Sequence, residues 1–372
     1  MKPFILLSCW IAAASAVAQP AARPVTLAET LDLALANSAQ IKKARLDRQG
    51  LELKIREGRS ALFPQINAVA GLDYYPVLPT NFLPADLFGG PDGAYVPATF
   101  GQPWQLGGTL RVEQQLYNES GRRMAPAANI SRAIYDLLGT RAEEDVLYNT
   151  AAVFYQTLQT EQLLRSANAN LEKLEALQRT TELQLANGYA IPTDVKRVQV
   201  ARTNLEAQRH HLVNGIKALH QTLQFLCGIP FEEAIDPVED TASPAADSAR
   251  WQALGLDVEA ATEYRLLQRQ LELNRVETRA LHGAAFPQLS AYAVAGFQTQ
   301  NANVNFFESG QRWYGLGAVG FKLNVPVFDG FQRRRKAAQL AVAALKTEED
   351  SRQLRQAKQL EYYKARDQFQ GA

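Results

Sequence analysis

The sequence predicts a mixed α and β fold, with long antiparallel helical hairpins beside ten-residue strands and the whole pattern repeated twice along the chain. Three observations carry that reading. From about Gly121 to Ala186 the chain reads as nearly unbroken helix, and at 1.5 Å per residue such a tract spans roughly 100 Å, far longer than a globular helix. Four other segments alternate apolar and polar residues with the period of a strand. The chain also copies itself: Leu116-Tyr117-Asn118 with Arg122-Arg123 recurs as Val327-Phe328-Asp329 with Arg333-Arg334, both displaced by 211 residues (328−117 and 333−122).

Taken in order, Met1-Lys2-Pro3, the apolar run Phe4 to Val17 and the small-x-small Ala16-Val17-Ala18 predict a signal peptide over residues 1–18, with the mature chain starting at Gln19. The apolar run ahead of Cys9 is too short for a lipoprotein signal, so the exported chain keeps one thiol, Cys227. Thr26-Leu27-Ala28-Glu29 fits a capping box opening a helix through Ala36. A second helical stretch from Ser38 to Leu62 stops at Phe63-Pro64, because the residue before proline disfavours the helical region. Gln65 to Tyr75 and, more cleanly, Leu106 to Glu113 alternate as strands. Between them Pro76 to Pro103 holds six Pro and four Gly and reads as an exposed loop.

Pro126 and Gly139 are the weak points of the long helical tract. Asn187-Gly188-Tyr189 ends it, and Pro192-Thr193-Asp194 starts a helix reaching Cys227-Gly228. In that helix Val198, Ala201, Leu205, Leu212, Leu219 and Leu226 recur at spacings of three, four or seven, the seam of an antiparallel hairpin. Gly228 to Ala249, rich in Pro, Ala and acids, is a linker or small docking segment. Ala61-Leu62-Phe63-Pro64-Gln65 then recurs as Ala284-Ala285-Phe286-Pro287-Gln288, again after a helix and before a strand. Gln288 to Gln298 and Trp313 to Val327 are the second pair of strands, joined by the shorter loop Gln298 to Arg312. The domain organisation is a first repeat over residues 19–228, a linker or equatorial segment over 229–249, and a second repeat over 250–372.

Composition excludes several function classes. Lys+Arg 39 against Asp+Glu 38 argues against nucleic acid or an anionic surface as the main partner. Two Cys exclude a disulfide framework, and with four scattered His they argue against a zinc site. Gly315-Leu316-Gly317-Ala318-Val319-Gly320 matches a phosphate-binding fingerprint letter for letter but lies inside an alternating strand instead of opening a helix. His210 and His211 diverge by 100° on a helix and cannot chelate together. Arg333-Arg334-Arg335-Lys336 reads as a solvated collar. No Ser/His/Asp set carries a recognisable motif, and neither an enzyme nor a cofactor is implied.

Each alternating segment is close to the ~9–11 residues that a tilted strand needs to cross a bilayer. Tyr74, Tyr75, Trp104, Tyr117, Phe297, Trp313, Tyr314 and Phe328 cluster near the segment ends like interfacial girdles around an apolar band with a polar interior. The polar set of the alternation, Thr109, Arg111, Glu113 and Lys322, is the candidate lumen face.

This order of elements resembles the TolC family of outer-membrane channel proteins across essentially the whole mature chain. The duplicated Phe-Pro-Gln, the Leu-Tyr-Asn and Val-Phe-Asp openings of long helices, and Asn187-Gly188-Tyr189-Ala190-Ile191-Pro192-Thr193-Asp194-Val195, which looks like the family's periplasmic tip turn, carry the likeness. The resemblance implies a homotrimer in which each protomer gives four strands to one outer-membrane β-barrel and its helices to a periplasmic α-barrel tunnel. It also implies a passive conduit for efflux or type I secretion, reached through a periplasmic membrane-fusion adaptor from an inner-membrane pump of the RND or ABC type. Outer-membrane lipid would surround the barrel. The family's tip Thr and Asp fall on Thr193 and Asp194, at the tunnel entrance; by position alone Asp194 serves equally as an acidic residue in the first turn of a helix. The second repeat reaches Ala372 inside its long helix, without a counterpart of the Pro192–Cys227 return helix. Long heptad hairpins also allow another reading, a periplasmic coiled-coil adaptor that forms no pore, but an adaptor has no need of girdled strands of bilayer length.

Overall fold

The computed structural model describes residues 23–89, 91–239 and 255–371, so the expected signal peptide and its cleavage after Ala18 lie outside the described residues. The chain forms two compact units that do not follow the sequence repeats. One comprises the residues up to Leu46 together with Leu138–Gly255; the other comprises Asp47–Leu137 and the residues from Leu256 onward. Helices α2 (Ala39–Ser60) and α4 (Ala127–Ala186) contribute to both.

In the first unit, strand β1 (Arg23–Val25) leads into α1 (Leu27–Asn37) through the expected capping box. The Glu29 N–H donates to Thr26 Oγ1 at 3.3 Å and the Thr26 N–H to Glu29 Oε2 at 3.1 Å, so two otherwise orphaned donors are satisfied reciprocally. Helix α4 runs for 60 residues, about 90 Å at 1.5 Å each. Of the two weak points, the helix passes straight through Gly139, whereas Pro126 separates it from the short α3 (Glu119–Met124). Proline has no N–H to give and is tolerated only where a helix begins. Helix α5 (Pro192–Cys227) starts on its proline for the same reason. Its seam residues Val198, Leu205, Leu212, Leu219 and Leu226 are half-buried, while Ala201 is exposed. The core gathers Val25, Ala34, Ile41, Val146, Phe154, Leu223, Cys227 and Ile235. Ile235 belongs to β6 (Ile235–Pro237), which pairs in parallel with β1 inside the expected linker. The Cys227 thiol donates to the Thr30 carbonyl at 3.6 Å, and burial pushes its pKa up to about 11, so it behaves as a small apolar core group.

The second unit is built on a four-stranded antiparallel sheet of β2 (Gln65–Tyr74), β5 (Trp104–Tyr117), β7 (Gln288–Asn301) and β8 (Tyr314–Asn324), in the spatial order β2-β5-β7-β8. All four coincide with the alternating segments. β8 ends two residues before Pro326, which cannot donate to a ladder. Helix α6 (Thr262–Gly283) precedes β7 as α2 precedes β2, and α7 (Gln332–Gly371) follows β8. The segment Pro76 to Pro103 is not a plain loop, because β3 (Thr80–Pro84) and β4 (Tyr95–Thr99) pair in it as an antiparallel hairpin. Thr80, Phe82, Tyr95, Val96 and Thr99 supply enough strand-favouring side chains to offset Pro84 at the end of β3 and Pro97 at the centre of β4, which a two-stranded ribbon tolerates because each strand has an edge that asks for no donor.

Candidate functional site

Register decides which side chains share a face, because residues directly opposite in a sheet point the same way. Arg111 lies opposite Asn67 and Val294, Glu113 opposite Gln65 and Tyr292, and Thr109 opposite Val69 and Gly296. Lys322 lies opposite Ser290, which in turn lies opposite Gln115. All four candidate lumen residues therefore stand on one face, joined there by Asp73, Gln105 and Gln298, which the alternation alone did not single out. The face is internally bonded. Arg111 Nε is 3.3 Å from Glu113 Oε2, its guanidinium lies 5.2 Å from the Tyr292 ring centre, and Ser290 Oγ donates to Glu113 Oε1 at 3.4 Å. The stacking explains an aromatic on a polar face.

The opposite face carries Ile66, Leu72, Leu110, Phe297, Val319, Phe321 and Leu323, and it is bare: Val319 is 85% and Phe321 74% exposed. A soluble sheet covers such a face. At its loop end Tyr74 stacks on Trp104, ring centres 4.5 Å apart. The girdle reading fails for Tyr314, which lies opposite Gln298 on the polar face; parity places it there although its neighbour in sequence, Trp313, precedes the strand.

Where sheet meets helices, Glu119 is held with its side chain only 4% exposed. It accepts from Arg122 Nε and Arg123 Nε, both at 2.7 Å, and from the Tyr117 hydroxyl at 3.3 Å. The second repeat uses the same device one position earlier: Arg333 Nε donates to Asp329 at 2.6 Å, and its other nitrogens reach the Ala284 and Pro326 carbonyls. Arg333 is thus a half-buried tie and not part of a solvated collar, although Arg334, Arg335 and Lys336 are exposed. Between α2 and α4, Glu52 accepts from Arg132 at 2.8 and 2.9 Å and from Arg48, whose Nε also donates to Asp136 at 2.7 Å. Hydrogen bonds from the two arginines at each site lower both Glu119 and Glu52 from 4.5 to about 2. A depressed carboxyl contributes stability that is complete above pH 4.5 and is lost as pH falls toward 2. Melting of the purified protein should therefore move to lower temperature across that window, and Glu119→Gln should remove part of the pH dependence.

The tip turn closes α4 with a Schellman motif. Gly188 takes φ +76°, its N–H donates to the Leu185 carbonyl at 3.1 Å, and the Tyr189 N–H donates to the Gln184 carbonyl at 2.8 Å. On the far side the Asp194 N–H donates to the Ile191 carbonyl at 2.9 Å, and the Ile191 N–H points back at Asp194 Oδ2 at 3.5 Å. Asp194 Oδ1 is also 3.7 Å from an Arg197 nitrogen. Val195 is buried, Asp194 half-buried, and Thr193, Tyr189 and Ile191 are exposed. The turn therefore places Thr193 and Asp194 in the first turn of α5, with Thr193 facing solvent and Asp194 folded back on the bend.

A family description reading outer membrane efflux protein matches residues 30–228, more than half of the 372 residues. The chain belongs to the outer membrane efflux protein family. Among its relatives, the proteases secretion protein PrtF of Dickeya chrysanthemi is 19% identical over 315 residues, covering 83% of this chain and 65% of PrtF. The chain thus spans just under two thirds of that relative's length. The same fold appears in CusC, described as forming a transmembrane channel, with TM-score 0.63 and 14% identity over 90% of this chain and 73% of CusC. It appears again in the outer membrane protein VceC of Vibrio cholerae, with TM-score 0.62 and 16% identity over 89% of this chain and 76% of VceC.

As a member of the outer membrane efflux protein family the protein belongs to the cell outer membrane and extends into the periplasm. Among the described residues no helix is long and apolar enough to cross a membrane, which says nothing of strands. The glycine fingerprint at Gly315 to Gly320 runs inside β8. There a Cβ on Gly320 would come within 2.9 Å of the Tyr292 hydroxyl, so the glycine makes room for the ring on which Arg111 rests. His210 and His211 are exposed, and His220 Nε2 lies 3.4 Å from Glu161 Oε1 across the α4–α5 hairpin.

Proposed function

We propose that the chain is one subunit of a trimeric outer-membrane channel for efflux or type I secretion. The observation that carries this reading is the two-faced sheet with both edges open. Among the described residues β2 and β8 each have no partner on one side, and because neighbours in the β2-β5-β7-β8 order are antiparallel, β2 and β8 run in opposite directions. β8 of one copy can then pair antiparallel with β2 of the next, a head-to-tail contact that closes by rotation. Four strands from each of three copies make twelve, an even number within the range of bilayer-spanning barrels. Closure would turn the bare apolar face toward lipid and the face bearing Thr109, Arg111, Glu113 and Lys322 toward a water-filled lumen.

No reaction is catalysed in this scheme. Cargo delivered by an inner-membrane pump through a periplasmic adaptor would pass down the tunnel once helices shift at the tip turn holding Thr193 and Asp194. A cysteine introduced at Arg111, in addition to the buried Cys227, tests the pore in protein reconstituted into planar bilayers. A cationic, membrane-impermeant thiol reagent should lower the single-channel conductance of Arg111→Cys and leave the parent untouched. Refusal of the reagent, or material that washes from membranes with carbonate, would sink the channel and favour a peripheral adaptor.

A further inference from the structure

We propose that the groove between α2 and the α3–α4 segment is a binding site for one anionic phospholipid of the periplasmic leaflet. The groove encloses about 740 Å3, well within the range of small-ligand sites. Its walls are mostly apolar, built from Ile55 and Leu62 on the α2 side, Leu116 at the end of β5, and Met124 with alanines of the α3–α4 segment, with Gln115, Asn118 and Ser131 as the uncharged polar members. Tyr117 also lines it, and its register opposite Leu289 puts it at the foot of the bare apolar sheet face. The groove is therefore continuous with the surface that the channel reading turns toward lipid, on which this inference rests.

Charge selects the occupant. Lys54, Arg59 and Arg122 line the groove and no acidic residue does. Arg122 is already engaged by Glu119, whereas Lys54 and Arg59 have no acidic partner among the described residues. Two free cations over an apolar slot suit a headgroup phosphate with an acyl chain beneath it, and each basic side chain near such a surface adds attraction for anionic lipid. Gly58 supplies a separate argument. It lies within α2, where glycine weakens a helix, yet a Cβ built on it meets nothing within 4 Å. The residue that would fill the slot and strengthen the helix is missing from the position lining it.

The test uses the full-length protein in nanodiscs of phosphatidylethanolamine with a minor share of phosphatidylglycerol. Native mass spectrometry counts the lipids retained on release, and bilayer conductance is recorded from the same preparations. The parent should keep about one phosphatidylglycerol per subunit in preference to phosphatidylethanolamine. Retention should fall about tenfold or more when Lys54→Glu and Arg59→Glu are combined. Gly58→Leu should lose the lipid too, while melting no lower than the parent, which separates an occupied slot from a damaged fold. Equal retention in all three proteins, equal retention of the neutral-headgroup lipid, or no retained lipid in a parent that conducts would each overturn the site. A parent that retains the lipid but does not conduct would overturn the channel reading alone.

Discussion

Gly296→Val should prevent the four-stranded sheet from forming and leave little protein in the outer membrane. β5 and β7 are the two inner strands, paired along most of their length. At Gly296 the two backbones come so close that a Cβ would overlap the Gly108 carbonyl oxygen and lie 2.9 Å from Thr109 Cγ2 and 3.0 Å from Thr109 Cα. Two of these three obstacles are backbone atoms, which cannot turn aside as a flexible side chain can. A branched residue must push the strands apart, which costs ladder hydrogen bonds that the bilayer cannot replace. Overpacking alone costs about 1–3 kcal/mol, and lost pairing in lipid adds to it. The control is Gly317→Ala on β8, where a Cβ would meet only the Val294 carbonyl at an ordinary 3.8 Å. Carbonate-resistant, heat-modifiable oligomer should persist in the control and vanish in Gly296→Val. Equal oligomer yields would show that the close approach at Gly296 carries no structural weight.

That glycine also marks how far the sequence reaches. Period-two alternation marks all four strands and separates Thr109, Arg111 and Glu113 from the apolar set of β5 and Lys322 from that of β8, whereas the sharing of one face by the two polar sets follows from the pairing through β7. Helix ends were equally legible where a local group sets them, as with the Thr26–Glu29 box, Pro126 and Pro192. What stayed hidden depends on contacts between segments far apart in the chain. The pairing of β1 with β6 joins residues over 200 positions apart, and three-residue strands carry no periodicity. The β3–β4 hairpin was masked by prolines, which local rules count against a strand wherever they stand. The Arg333 tie has a local half, to Asp329 four residues earlier, and a distant half, to the Ala284 carbonyl 49 residues away; a run of four basic residues reads as solvated because the distant half is not visible in the run itself. Of the tip, the sequence shows a turn with Thr193 and Asp194 at its edge. The proposed tunnel entrance would take shape only among neighbouring copies.

Phe154→Ala should be the most damaging single change in the first unit. On α4, Val146, Thr150, Phe154 and Thr157 recur at spacings of four and three and form one buried stripe. Phe154 is its largest member, 1% exposed, and it packs in a cluster with Leu223 and Cys227 of α5 and with Val25 and Ile235 of the small parallel pair. Truncation leaves a cavity that rigid helices on either side cannot close, which places the cost at about 3–5 kcal/mol. Tyr155, its edge-to-face neighbour at 5.8 Å between ring centres, is 58% exposed, so Tyr155→Ala should cost far less. Residues 158–220 of the α4–α5 hairpin add only a few buried side chains, among them Ala167, Leu171 and Val195. An isolated subunit must therefore draw the stability of this unit mainly from the cluster around Phe154. Denaturant unfolding of dissociated subunits should show a large loss for Phe154→Ala and a small one for Tyr155→Ala. In the assembled oligomer the gap between the two should narrow, because copies packed along the hairpin would bury surface that the single chain leaves wet. A gap of the same size in both states would mean that the hairpin gains nothing from its neighbours.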